Sequence, residues 1–430
     1  MRIGLFTDTY RPSINGIVFV VESLKRELEA LGHEVYVFCP AKALLPGRMS
    51  DDNGDDERII RFPSLKGAFF DDYDTSIFFP PRVVQQIKDL HLDVIHTFTP
   101  SQVGLIGVRA AVKCDIPFIM QHSTDLYEFS ADYPAVLPGI LMLATIIAPA
   151  SVKMGPKDIY EMMKLYRPRL GATAWNQDII KKAVTVIYSK ADAVIALSRK
   201  SVKQLESWQD EDYSYDVTLL PNGVDALPTP TPEDIAAFRA QYGIAAEDEV
   251  FGFVGRLAKE KNLDVLIPAL ERVLAERPRA RLLFVGDFEY RETLEEKAEE
   301  SGYGDRITFT GALPRASLGV VYEVLDVFVF PSLKDTQGWV LHEAAHAGTP
   351  IVLVDRDLSE VFEDGVSGYY AENNAEDIAK KIITILGDTA LRERMSAASR
   401  QLAATFTECE QVAKLEQLYE VLVGAESDEN

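Results

Sequence analysis

Short apolar runs alternate with amphipathic stretches along nearly the whole chain, and the alternation restarts once, after Pro221-Asn222-Gly223. Arg2–Phe6 reads as a buried strand. A helix follows from about Gly16 to Leu31, where Val18, Val21, Leu24, Leu28 and Leu31 recur three or four residues apart. Gly32 ends that helix, and Glu34–Phe38, Asp93–His96, Pro117–Met120 and Ala193–Ala196 continue the strands. Beyond Gly223 the strands are Val250–Val254, Arg281–Val285, Ile307–Phe309, Val327–Phe330 and Ile351–Val354. Helices are expected at Leu263–Leu274, from about Glu292, and at Val340–Ala347. Strands alternating with helices build parallel sheets covered on both faces. Two such series predict an α/β protein of two doubly wound, Rossmann-like domains facing across a cleft. Ligand sites are then expected at the carboxyl ends of the strands, in that cleft. The expected domains are residues 1–219 and 220–406, with a C-terminal helix over 407–430 packing back on the first.

A chain of 430 residues with 47% hydrophobic content can build two or three cores. Cys39, Cys114 and Cys409 lie far apart without a CxxC pair, which points to a reducing cytoplasm and away from disulfides or a cysteine zinc site. The N-terminal MRIGLFTDTY runs from one basic residue straight into a strand, so no signal peptide is expected. A net charge of −23 argues against a nucleic-acid partner.

Charge is polarised, however. Ser151–Leu205 carries eleven Lys/Arg against four acids, a net +7. Directly before it, Tyr133–Val152 has no charged residue over twenty positions, yet Pro134, Pro138, Gly139 and Pro149 interrupt it, so it is ill suited to cross a bilayer as one helix. Apolar residues beside a basic stretch suggest docking on an anionic membrane surface, through Leu137, Ile140 and Leu141 and the cations Lys153, Lys157, Lys164, Arg167, Arg169, Lys181 and Lys182. The plainer alternative is a buried helix next to a solvated basic face.

Three motifs carry chemistry. Asn15-Gly16 sits in the loop after the first strand, where a glycine lets backbone N–H groups approach a phosphate. Gly255-Arg256-Leu257-Ala258-Lys259-Glu260-Lys261 follows a strand, and its two cations five residues apart can clamp a diphosphate and stabilise it as a leaving group. Asp335-Thr336-Gln337-Gly338-Trp339-Val340-Leu341-His342-Glu343 leads from a strand into a helix, with two carboxylates suited to hydrogen-bonding sugar and ribose hydroxyls. Alone, each also fits a simpler role as a turn, a solvated loop, or helix-start acids. His342-Glu343-Ala344-Ala345-His346 matches the HExxH zinc pattern, but its helix is short and Gly348-Thr349-Pro350 ends it, so the histidines are read as helix-face residues. Asp355-Arg356-Asp357 is read as loop. No GxGxxG or P-loop is present.

Together these segments resemble family 4 of the retaining glycosyltransferases, which adopt the GT-B fold. The likeness covers nearly the whole chain, through FTDTYRPSINGIV, DVIHTFTP, MQHSTD, ADAVIALS, LPNGVD, FVGRLAKEKN, LLFVGD, DVFVFPS, DTQGWVLHEAAHAGTPIV and EDGVSGYY. The resemblance implies that Arg256 and Lys261 bind the donor diphosphate, and that Glu343 accepts from the ribose hydroxyls. It implies that Gly16 and Gly338 let backbone approach the donor, and that His122 reaches the transferred sugar or its leaving oxygen. Asp335 stands where the family has the first of two glutamates, one methylene shorter. The resemblance implies no metal cofactor and front-face displacement without a covalent nucleophile. The Thr336-Gln337-Gly338 triplet is similar to lipid glycosyltransferases. The expected reaction is hexose transfer from a nucleotide-sugar donor to a lipid acceptor of the diacylglycerol type, by a cytoplasmic enzyme peripheral to the inner membrane face. The alternatives are a soluble acceptor (an inositol, sugar or sugar phosphate) or a catalytically weak sugar-nucleotide-binding protein.

Overall fold

The computed structural model describes residues 1–13, 15–41, 56–70, 73–76, 81–99, 101–128, 151, 155–165 and 172–429. The chain divides into two compact units: Met1–Asn222 with Glu408–Asn430, and Gly223–Thr407.

The first unit holds β1 (Arg2–Phe6), β2 (Glu34–Pro40), β3 (Ile59–Phe62), β4 (Ser64–Phe70), β5 (Tyr73–Ser76), β6 (Val94–Thr97), β7 (Phe118–Gln121), β8 (Ala193–Ala196) and β9 (Val217–Leu219). Seven of them form one parallel sheet in the order β3-β2-β1-β6-β7-β8-β9, while β4 and β5 pair separately. β1 lies in the interior of the sheet, between β2 and β6, and its side chains Ile3, Leu5 and Phe6 are fully buried, as continuous apolar runs in parallel sheets require. Phe6 stacks on Phe38 of β2 at 4.2 Å between ring centroids. The chain runs outward from β1 to β3 and then restarts at β6 on the other side, so the order reverses between β1 and β6.

The C-terminal helix Glu408–Glu429 belongs to this unit. Its Tyr419 is wholly buried, with the hydroxyl 2.7 Å from Nδ1 of His96 in β6. Its Glu416 lies 2.7 Å from Nε2 of His33, and its Glu408 pairs with Arg26.

The second unit holds β10 (Glu249–Val254), β11 (Ala280–Val285), β12 (Ile307–Phe309), β13 (Val327–Phe330), β14 (Ile351–Leu353) and β15 (Gly368–Tyr370). All pair in parallel, in the order β12-β11-β10-β13-β14-β15. Here the reversal lies between β10 and β13. Phe251, Phe253, Phe284 and Phe328 are almost fully buried, each worth roughly 1.5–3 kcal/mol of burial. The helix expected at Leu263–Leu274 starts later. Asn262 takes a left-handed backbone, a 3₁₀ turn spans Leu263–Val265, and the α-helix is Leu266–Glu276. Pro268 then falls in the first turn, where its missing N–H costs no hydrogen bond.

Candidate active site

In each unit an acidic side chain fastens the loops on either side of the strand-order reversal, where open α/β sheets bind ligands. In the first unit it is Asp8, just after β1. Its carboxylate accepts from the Thr99 hydroxyl at 2.6 Å and from the Val103 N–H at 2.7 Å, both beyond β6. It thereby caps the helix Gln102–Cys114. In the second unit it is Asp335, beyond β13, which accepts from Lys261, beyond β10, at 2.6 Å.

The loop after β1 ends at the helix Gly16–Ala30. Asn15 caps it, accepting from the Val18 N–H at 3.1 Å while its amide donates to Thr9 at 2.9 Å. A Cβ at Gly16 would meet no atom within 4 Å, so the position opens on free space at a helix N-terminus. Two conditions for an approaching anion are thus met there: donors of a first turn and room.

His122 directly follows β7, its imidazole buried and its Nδ1 3.0 Å from the Tyr188 hydroxyl. Trp208 and Tyr188 present their faces or edges to it at near right angles, 90° and 87°.

On the donor side, Gly255 leaves β10 with φ +143°, a backbone that side chains rarely adopt, and so turns the chain into the Arg256–Lys261 loop. Arg256 is half-exposed, its guanidinium 4.8 Å over the Phe288 ring and 3.6 Å from Glu260. Lys261 is mostly buried and held against Asp335. Gly338 starts the helix Trp339–Ala347 with φ +71°, and a Cβ there would lie 2.7 Å from a Leu341 methyl.

Glu343, in the second turn of that helix, is 3% exposed. Arg315 donates to one of its oxygens at 3.1 Å and the Tyr322 hydroxyl to the other at 3.0 Å. Burial raises the Glu343 pKa, and the Arg315 charge and these hydrogen bonds act against that rise. The structure therefore joins Lys261 to Asp335 directly and surrounds Glu343 with Arg315 and Tyr322. Sequence reasoning missed Asp8, Tyr188, Arg315 and Tyr322, because no spacing rule links residues so far apart in the chain.

Both histidines of the HExxH stretch are engaged elsewhere. His342 is fully buried, with Nε2 accepting from the Gln337 amide at 3.2 Å, and burial pushes its pKa down to about 3. His346 donates to the Val224 carbonyl at 2.6 Å. Among the described residues no three His, Cys, Asp or Glu side chains are grouped to hold a metal ion. Asp355-Arg356-Asp357 forms a turn in which Asp355 accepts from the Asp357 N–H.

The membrane-docking residues divide. Leu137, Ile140, Leu141, Lys153, Arg167 and Arg169 lie outside the described residues. Lys164 is placed on the helix Pro156–Leu165. Lys157 is exposed on the same helix and pairs with Asp212. Lys182 pairs with Asp210 at 2.9 Å and sits 4.0 Å over the Tyr213 ring. Lys181 is partly buried in the helix Ala172–Tyr188. Acids just beyond the basic stretch thus neutralise part of it. Among the described residues no helix is long and apolar enough to cross a membrane.

Two parallel sheets of this kind, each with its charged loops at the point of reversal, are the Rossmann-like domains of the GT-B fold. Sucrose-phosphate synthase from Thermosynechococcus elongatus superposes with a TM-score of 0.68 at 20% identity, covering 99% of each chain. Residues 14–226 match the model of "Glycosyltransferase Family 4" and residues 234–402 that of "Glycosyl transferases group 1". The chain belongs to the family 4 glycosyltransferases. An alpha-monoglucosyldiacylglycerol synthase of Acholeplasma laidlawii is 29% identical over 399 residues, 90% of this chain and 88% of that one. A D-inositol 3-phosphate glycosyltransferase of Nocardia farcinica is 32% identical over 230 residues, 51% of each.

Proposed function

We propose that the chain transfers a hexosyl unit from a nucleotide diphosphate sugar to a diacylglycerol-type lipid, with retention, giving an α-glycoside. The observation that carries the donor half is the Lys261–Asp335 pair beside the reversal of the second sheet, with Arg256 in the same loop as Lys261. A diphosphate arriving there meets two cations already positioned, so charge that develops on the leaving oxygen is stabilised without reorganisation. Lys261 then serves the phosphate as well as Asp335, and Asp335 is left to accept from a sugar hydroxyl. Glu343, braced by Arg315 and Tyr322, accepts from the ribose hydroxyls. Because side chains balance the diphosphate charge, the reaction proceeds without a metal cofactor. His122 meets the transferred sugar or its leaving oxygen.

The lipid acceptor is supported by the relative named as an alpha-monoglucosyldiacylglycerol synthase, which matches over 90% of the chain. Docking on anionic membrane through the apolar run and basic stretch would bring the enzyme to that acceptor at the inner membrane face. The inositol-phosphate relative, matching over 51%, favours a second reading with a soluble acceptor. One experiment separates them. The full chain is incubated with UDP-glucose or GDP-mannose, with dioleoylglycerol in phosphatidylglycerol vesicles or with inositol 3-phosphate in solution. The lipid reading expects an α-linked glycolipid, its linkage read from the anomeric proton coupling, and vesicle binding that weakens with salt. Transfer to inositol phosphate alone, or a β-linked product, overturns it.

A further inference from the structure

His122 is 2% exposed, and its Nε2 has no hydrogen-bond partner. Its Nδ1 is bonded to the hydroxyl of Tyr188, the last residue of the helix Ala172–Tyr188, which is itself fully buried. Among the described residues the Tyr188 hydroxyl bonds to nothing else. Burial holds this phenol protonated, its pKa raised well above the ordinary tyrosine value. Two arrangements of the protons are then available. In the first, Tyr188 donates its O–H to Nδ1, and the ring carries its hydrogen on Nε2. In the second, Nδ1–H donates to the phenol oxygen, and the phenolic hydrogen is buried without an acceptor. Each arrangement leaves one donor unmatched, and the first prevails because a phenol O–H is the stronger donor and an imidazole nitrogen the stronger acceptor of the pair. It leaves the Nε2–H as the unmatched donor.

The ring is held against turning. Tyr188 stands edge-on to it at 6.0 Å between centroids, and Trp208 at 6.2 Å, both near perpendicular. Tyr188 is in turn perpendicular to Tyr215, whose hydroxyl donates to the Leu205 carbonyl at 3.0 Å. The orientation of the imidazole is therefore fixed by a stack of buried aromatic rings from the helices Ala172–Tyr188 and Arg199–Trp208.

We propose that Tyr188 is a positioning residue that locks His122 as its Nε2–H tautomer, making His122 a neutral hydrogen-bond donor toward an oxygen of the sugar donor and not a proton-abstracting base. The proposal rests on the reading that His122 faces the donor substrate. The acceptor of its hydrogen bond is a hydroxyl of the transferred hexose or the leaving phosphate oxygen. A neutral donor suits either role, since both oxygens need a hydrogen bond in the transition state and neither a proton removed.

Tautomers are read directly from imidazole nitrogen shifts. The full chain is labelled with ¹⁵N-histidine, and among its six histidines the His122 signals are assigned by their loss in His122→Asn. The wild type is expected to show a protonated Nε2 and a bare Nδ1, and Tyr188→Phe a mixture of both tautomers. A protonated Nδ1 in the wild type, or an unchanged tautomer in Tyr188→Phe, overturns the proposal, and the wild-type spectrum decides even if the variant fails to fold. With the productive donor, Tyr188→Phe should lower kcat by about tenfold, the equivalent of one lost net hydrogen bond, and move KM by less than twofold. Unchanged kcat also overturns it. If His122→Asn leaves turnover intact while the tautomer stands as expected, the reading of His122 at the donor has failed and the Tyr188 geometry has not. Affinity for the nucleoside diphosphate alone separates the two oxygens: it falls in His122→Asn if the leaving oxygen is the acceptor and holds if a sugar hydroxyl is.

Discussion

Lys261→Ala tests whether the Lys261–Asp335 pair serves the donor or only the fold. The two side chains are 14% and 17% exposed and 2.6 Å apart. An exposed pair is worth up to about 1 kcal/mol, and breaking a fully buried one costs about 3–5 kcal/mol. At this partial burial losing the pair should cost about 2 kcal/mol, which for a unit of this size lowers the melting temperature by about 4–8 °C. Removing one positioned cation from an electrostatic site costs about 100- to 1,000-fold in turnover, or about 2.7–4 kcal/mol of barrier. The double variant Lys261→Ala/Asp335→Ala separates the two effects. Without the buried carboxylate, most of the lost stability should return, while transfer stays down by at least the same factor. Calorimetry and initial rates with a radiolabelled nucleotide sugar read both quantities on one preparation. A double variant that regained activity together with stability would refute the reasoning, because the diphosphate would then be held elsewhere.

Gly16→Ala should leave the melting temperature unchanged or slightly raised, since alanine favours a helix by up to about 1 kcal/mol and meets no atom within 4 Å; donor KM should nonetheless rise about tenfold or more, and an unchanged KM would remove Gly16 from the site. Burial raises the Glu343 pKa, so the folded chain holds that proton more tightly than the unfolded chain, and the stability gained is present at low pH and lost as pH rises through the folded value. Transfer that needs Glu343 ionised should fall on the acid side at a pH above the ordinary glutamate value of 4.5, and Arg315→Met should move that limb higher still; a limb that does not move in the pH–rate profile contradicts the pairing. EDTA should leave transfer unchanged, and loss of activity restored by zinc would bring His342 and His346 back into consideration as ligands.

Most interior strands were legible from their apolar runs, and so was one edge strand, Ile307–Phe309. Arg2–Phe6, Ala193–Ala196, Ile307–Phe309 and Val327–Phe330 are found with the bounds expected from their apolar runs. β9 and β15 were not legible. Each has three residues and lies at a sheet edge, where half-exposed Val217, Thr218, Tyr369 and Tyr370 leave no continuous buried run to read. Registers of 32 and 22 residues, such as Ile3 opposite Val35 and Phe38 opposite Ile60, are set by packing and have no local signal.

The site followed the same division. Local motifs held the groups proposed to act on a ligand: Gly16, Arg256, Lys261, Asp335 and Glu343 each lie within a short signature. The groups that hold them were hidden because tertiary contact alone pairs them. Arg315 reaches Glu343 across 28 positions, Tyr188 reaches His122 across 66, and Asp8 reaches Thr99 across 91. Charge counting suffered from the same blindness. A net +7 over Ser151–Leu205 treats each cation as available, yet Lys157 and Lys182 fold onto Asp212 and Asp210, and Lys190 lies 3.6 Å from Asp158. A surface pair binds weakly, by about 0–1 kcal/mol, which is comparable to the 1 kcal/mol or so that each cation gains near an anionic surface. Lys157, exposed on its helix, can therefore exchange Asp212 for a lipid phosphate at little cost, whereas Lys182, mostly buried and lying over the Tyr213 ring, gives up a cation–π contact as well. Of the two, Lys157→Glu should weaken vesicle binding the more, and the reverse order in a sedimentation assay would mean that the docking face lies elsewhere.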